Sequence, residues 1–306
     1  MPLRLSLLAA VLLAGCSTTD DALPSVFGLS VAESDASVAA SVDRLTDALD
    51  AAEPVGIVAE VDHAANSAGA GLTLRPTRVV LFGNPTLGTP LMQANPQAGL
   101  DLPQNMLVYE DGEGRTVVGF NSTGYLARRH GVQSVGTLGQ IEQALSRFAT
   151  VAAASDGSAS IRTSGRGVAR DEGVVTVASD DDVATTYGRL RSAIAGNPNL
   201  TVVAELDHQA NAASVGLELP PIRLVVFGNP ALGTPLMRVG QTVGIDLPQK
   251  MLVYQAADGG TRVAYNDPGF LAERHGLGSP AEVGTIRDAL ATLASVAAGL
   301  AAPNDS

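Results

Sequence analysis

Apolar residues recur along this chain with two periods. Val38, Val42, Leu45 and Leu49 fall at i, i+4, i+7 and i+11, the spacing of one helix face, and Val183, Tyr187, Leu190 and Ile194 repeat it. A second helical stripe, Ile141, Leu145, Phe148 and Ala152, is echoed by Ile286, Leu290, Leu293 and Ala297. Between the stripes lie short β-branched or apolar runs at 55–61, 78–82, 106–109 and 116–120, bounded by Gly, Pro and Asn. These predict four strands, and a fifth precedes the first helix at 29–32, or 174–178 in the second half. The order is β-α-β-β-β-β-α. Strands joined by turns pair antiparallel and amphipathic helices cover one face, so an α+β domain of two layers is expected.

The halves are copies. Sliding the chain by 145 residues aligns Asp62-His63 with Asp207-His208, Phe82 to Pro85 with Phe227 to Pro230, and Leu87 to Met92 with Leu232 to Met237. Asp101 to Gln104 then meets Asp246 to Gln249, and Arg129 to Gly131 meets Arg274 to Gly276, without an insertion. A period this long is a whole domain rather than a solenoid repeat. Residues 27–153 and 172–298 form two tandem domains, 154–171 a Gly/Ser-rich linker, and 299–306 a tail. A tandem pair of this kind is expected to dock as a pseudo-dimer.

Residues 1–16 read as a secretion leader, since the apolar run at 5–13 is too short to stay in a bilayer. Leu13-Ala14-Gly15-Cys16 resembles a bacterial lipobox, which implies cleavage before Cys16 and acylation of its sulfur. Cys16 is the sole cysteine, so no internal disulfide forms. With 17–26 as a polar tether, the expected location is the bacterial cell envelope, on the periplasmic or extracytoplasmic face, the lipid on Cys16 holding the chain to a membrane. A formal charge of −12 repels a phosphate backbone and argues against nucleic-acid binding, while 45% apolar residues suffice for two cores.

The ordered string Asp-His, Phe-Gly-Asn-Pro, Leu-Met, Asp-Leu-Pro, Leu-Val-Tyr, Tyr-Asn-Asp-Pro and Arg-His-Gly resembles the bacterial family named domain of unknown function 302, in both copies. That resemblance implies a TATA-binding-protein-like or helix-grip fold, a curved antiparallel sheet on helices, and does not imply an activity. The first copy departs from the string: Asn121-Ser122-Thr123 stands where the second has Asn266-Asp267-Pro268.

All four histidines sit at equivalent places, His63 with His208 and His130 with His275, which makes them the leading site candidates. One pocket per repeat is expected, lined by His63, Asn84, Met92 and His130, with His208, Asn229, Met237 and His275 in the second copy and Asp267 adding a carboxylate there alone. Small-molecule binding or sensing is the first reading. Imidazole with thioether would also suit a metal or haem, though no paired ligand spacing occurs, and the cofactor stays open. The four histidines are the metal candidates. A purely structural or interaction module, and a His-dependent enzyme, are the further alternatives. Asp62 and His63 cannot form a dyad within one strand because neighbouring side chains leave opposite faces, and the candidate nucleophiles Ser67 and Ser122 are not kept, Ala212 and Asp267 standing in their places. Arg78 and Arg129, with Arg223 and Arg274, read as surface ion-pair residues, and Met106 and Met251 as core.

Overall fold

The computed structural model describes residues 23–165 and 167–301. The leader and the lipidation site at Cys16 lie outside the described residues. In the first repeat, β1 (Leu29–Ser34) is followed by α1 (Val38–Asp50), β2 (Gly56–Asp62), α2 (His63–Gly69), β3 (Thr77–Gly83) and α3 (Pro85–Ala94). A 3₁₀ turn at Pro96–Asp101 then leads to β4 (Gln104–Glu110), β5 (Thr116–Asn121), α4 (Thr123–His130) and α5 (Leu138–Ala153). A two-residue strand, β6 (Arg162–Thr163), lies between the repeats and pairs with β1. The second repeat runs β7 (Val174–Ser179), α6 (Val183–Ala195), β8 (Thr201–Asp207), α7 (His208–Ser214), β9 (Ile222–Gly228) and α8 (Pro230–Val239). It continues through a 3₁₀ turn at Gln241–Ile245 to β10 (Gln249–Gln255), β11 (Thr261–Asn266), α9 (Pro268–Arg274) and α10 (Ala281–Ala297).

Each sheet is antiparallel, ordered β2-β3-β4-β5-β1-β6 and β7-β11-β10-β9-β8. The expected five strands and two long helices are present in each copy, in an α+β domain. Short helices that the periodicity missed occupy the connections, because α2, α3 and α4 are only 7, 10 and 8 residues long and carry too few apolar positions to show a period. Their starts are capped instead: Asp62, Asn84 and Ser122 each accept a backbone N–H of the first turn.

The helical stripes face inward. Val38, Val42, Leu45 and Leu49 of α1 and Ile141, Leu145, Phe148 and Ala152 of α5 are all buried, and α1 packs on α5 over one face of the sheet. The opposite sheet faces meet each other. One continuous core holds Leu107 and Val80 of the first repeat with Ile222, Leu224 and Leu252 of the second. The 3₁₀ turns lock this contact reciprocally. A Cβ on Gly99 would stand 3.1 Å from Leu252, and one on Gly244 would stand 3.0 Å from Leu107. At both positions a side chain would press on the facing leucine by a few tenths of an ångström, so glycine suits this close approach of turn to sheet. The result is four layers, helices outside and two sheets within.

Candidate functional site

The site begins where β2 stops. The strand ends between Asp62 and His63, so the two side chains separate: Asp62 Oδ1 accepts from Ala65 N at 2.8 Å, and Oδ2 accepts from Arg78 Nε at 3.0 Å. His63, the first residue of α2, turns into the protein and is 5% exposed. Asp207 and His208 repeat the arrangement, with Ala210 N and Arg223 as the aspartate's partners.

Each imidazole reaches into the other repeat. His63 meets backbone groups of Gly244 and Leu247, and His208 meets Gly99. Burial lowers both pKa values to about 4; those backbone hydrogen bonds, and the neighbouring Asp62 or Asp207, oppose the shift only in part. Both rings are therefore neutral at pH 7. In each ring Nε2 has no hydrogen-bond partner, which leaves Nδ1 as the nitrogen to meet the backbone. With Nδ1–H donating to a carbonyl, Nε2 carries the lone pair.

Two cavities receive these atoms. The first, of about 420 Å³, lies between the sheet, α3 and α5 of the first repeat, with Phe82, Met92, Leu102, Leu145 and Phe148 on its walls. Its remaining wall is Leu206, His208 and Asn211 of the second repeat. The second cavity, about 750 Å³, reverses the roles, with Phe227, Met237, Ile286 and Leu293 closed by Val61, His63 and Asn66. Ile57, Val58 and Val296, among the few large apolar residues left exposed, stand at the rims. No charged side chain lines the first cavity, and Asp288 alone lines the second.

The expected grouping is thus corrected in three ways. His63 shares a cavity with Asn229 and Met237 rather than with Asn84 and Met92, which meet His208 instead. His130 and His275 line neither cavity. His130 Nε2 lies 2.7 Å from Asp101 Oδ2, and His275 Nε2 lies 2.7 Å from Asp246 Oδ2, both fully buried pairs. Asp267 is also elsewhere: it caps α9 through Gly269 N and pairs with Arg287, the capping task Ser122 performs in the first copy. Asn84 and Asn229 line the cavities, but their carbonyls already cap Thr86 N and Ala231 N at 2.9 and 3.0 Å.

Arg129 and Arg274 are not surface residues. Arg129 Nη1 donates to Asp101 Oδ2 at 2.8 Å, while Nη2 crosses to Asn266 Oδ1 and to the carbonyl of Gly173. Arg274 mirrors it with Asp246, Asn121 and the Phe27 carbonyl, and lies 4.2 Å from the centre of the Tyr125 ring. Burial alone would raise the Asp101 pKa, yet Arg129 and His130 hold it well below the carboxylate range. Lys250, wholly buried between the clusters, has its pKa pushed down by desolvation against the pull of Asp101 and Asp246. Asp101, Asp246, Lys250, Thr89 and Thr234 were missed as site or structural polar residues. The aspartates recur at the same offset as the histidines, a signal present in the sequence; Lys250 replaces Asn105 and has no such signal.

Among characterised proteins, the fluoride-specific ion channel proteins FluC 1 of Brucella suis and of Brucella abortus are each 42% identical over 113 residues. The match covers 37% of this chain and 44% and 42% of those proteins, so the chain spans less than half the length of the curated relatives it matches. No helix among the described residues is long and apolar enough to cross a membrane. A crystal structure of an uncharacterized conserved DUF302 protein from Bacillus stearothermophilus aligns over 41% of this chain and 98% of its own, at 22% identity and a TM-score of 0.36. The family described as "Domain of unknown function DUF302" matches twice, at residues 30–151 and 175–296, and the chain belongs to that family as two tandem copies.

Proposed function

We propose that this protein is a lipid-anchored cell-envelope protein that binds or senses an uncharged, largely apolar small molecule in the two cavities. One observation carries the reading: in each cavity a buried imidazole nitrogen without a partner faces apolar walls. An orphaned buried acceptor is costly, and a ligand that donates to it removes the cost. The lack of a cationic side chain in either lining disfavours carboxylates and phosphates. With its pKa near 4, each imidazole is a hydrogen-bond acceptor and a poor general base at neutral pH. The channel activity named for the Brucella proteins does not carry over, since under half of their length is matched.

Haem fits the cavities poorly. His208 and Met92 offer axial donors, but no Lys or Arg lines either cavity to meet two propionates. Among the described residues no three His, Cys, Asp or Glu gather as a metal site. Native mass spectrometry of the protein released from its host's membranes is expected to show a bound neutral species, and the uncharged dye Nile red should bind saturably once it is removed. Bare protein with no saturable dye binding overturns the proposal. For the anchor, alkyne-palmitate labelling should be lost in Cys16→Ser together with membrane fractionation; retained label refutes it.

A further inference from the structure

We infer that the two cavities have diverged in what they select, and that the first takes a ligand carrying a hydroxyl group. The inference rests on the cavities being binding sites. It comes from one substitution between the copies, Ser67 against Ala212, each acting on the cavity of the other repeat.

Behind the second cavity's Thr234, Ser67 Oγ donates to the His63 carbonyl at 2.7 Å and stands 2.7 Å from Thr234 Oγ1. A hydroxyl has one hydrogen, so Ser67 has none left and Thr234 must be the donor. Thr234 is then spent as a donor, and beside that threonine a ligand meets two acceptors, His63 Nε2 and the Thr234 lone pairs. In the other copy Ala212 takes the place of Ser67 and offers no hydroxyl to Thr89, which lines the first cavity. Thr89 Oγ1, buried and 1% exposed as a residue, has no partner.

The first cavity therefore holds unpaired atoms of both characters: His208 Nε2, which accepts, and Thr89 O–H and Gln104 Nε2, which can donate. A hydroxyl is the smallest uncharged group that answers both, donating to the imidazole while accepting from the threonine. An ether answers one and leaves the imidazole unpaired. Sites with buried polar groups reject analogues that leave those groups unpaired. The ligand class for the first cavity is thus an aliphatic or aromatic alcohol, and for the second a compound that presents N–H or O–H donors without needing one in return.

The full chain can be titrated with 1-octanol and with methyl octyl ether, reading the imidazole carbon-bound protons by NMR. Only four histidines are present, so His208 reports the first cavity and His63 the second. Octanol should bind the first cavity at least fivefold tighter than the ether, the difference expected from one hydrogen bond. Ala212→Ser, which supplies Thr89 with the partner Thr234 has, should weaken octanol there about fivefold. Thr89→Val makes the same test should the buried serine prevent folding, and Ser67→Ala should bring the same preference to the second cavity. Equal binding of alcohol and ether, or octanol affinity unmoved by both Ala212→Ser and Thr89→Val, overturns the inference while leaving the cavities as binding sites. If neither probe moves His63 or His208, the binding reading falls with it.

Discussion

Acidification from pH 7 to pH 5 should destabilise this protein through the two cavity histidines. In the unfolded chain each takes a proton near pH 6.5, whereas in the fold burial delays protonation to about pH 4. Between those values the unfolded state binds more protons, so stability falls as pH falls. For a shift from 6.5 to about 4, the loss between pH 7 and pH 5 is about 2 kcal/mol per histidine, or about 4 kcal/mol for both. That is a large share of the roughly 5–15 kcal/mol that holds a domain together. Urea unfolding at pH 7, 6 and 5 at fixed ionic strength, followed by circular dichroism, measures it directly. The window is clean of the buried aspartates. Asp101 and Asp246 are held below the usual carboxylate range, so their contribution persists above that range and is lost only at lower pH. His63→Gln/His208→Gln should flatten most of the slope, leaving the part due to His275, whose pKa is also lowered by burial. An unfolding midpoint equal at pH 7 and pH 5, or a slope unchanged in the double variant, refutes the reasoning.

Other outcomes follow from the same contacts. Arg129→Met leaves Asp101 buried without its guanidinium and Asn266 without its donor, and should cost about 3–5 kcal/mol in urea unfolding, part of which Asp101→Asn recovers. Gly173 has φ +67° and a Cβ there would lie 2.0 Å from the Phe270 ring, so Gly173→Ala should destabilise well beyond the ~1 kcal/mol typical of the backbone effect alone. Gly157→Ala is the control, having a similar φ of +73° and nothing within 4 Å of the added carbon. Comparable thermal shifts in both variants would show that the Phe270 contact is unimportant.

The long elements were legible because their signal is redundant. Four inward positions in α1 and four in α5 each announce a helix, and the copy 145 residues on repeats the message. The short helices carry no such period, and their capping residues, Asp62 and Asn84, do not announce them because the same residue types also make turns at strand ends. The importance of His63 and His208 was visible in their recurrence. Their destination was not, because an offset within a repeat says nothing about which repeat a side chain faces. His130 and Arg129 show the opposite failure. Their recurrence is as regular, yet it reflects a buried charge network that joins the halves through Gly173 and Asn266 rather than a cavity. Repetition marks constraint, and only the packing of sheet on sheet decides whether the constraint is a ligand or the fold.

Fusing the copies also permits an asymmetry that a symmetric pair of identical chains would forbid. Lys250 is buried where it feels both Asp101 and Asp246, and Asn105 is its counterpart, spending its amide on the Ile245 carbonyl. In a homodimer the same residue would appear twice. Two lysines would then enter one low-dielectric region already holding Arg129 and Arg274 against only two carboxylates, and the added like charge would carry a desolvation cost of several kcal/mol. Two asparagines would be tolerated, but the lone cation between the aspartates would be gone. Ser67 and Ala212 obey the same logic: in identical chains both cavities would receive serine or both alanine. Placing the copies in one chain lets each substitution act on one cavity alone, so a duplicated unit can hold two cavities that differ in hydrogen bonding as well as in size.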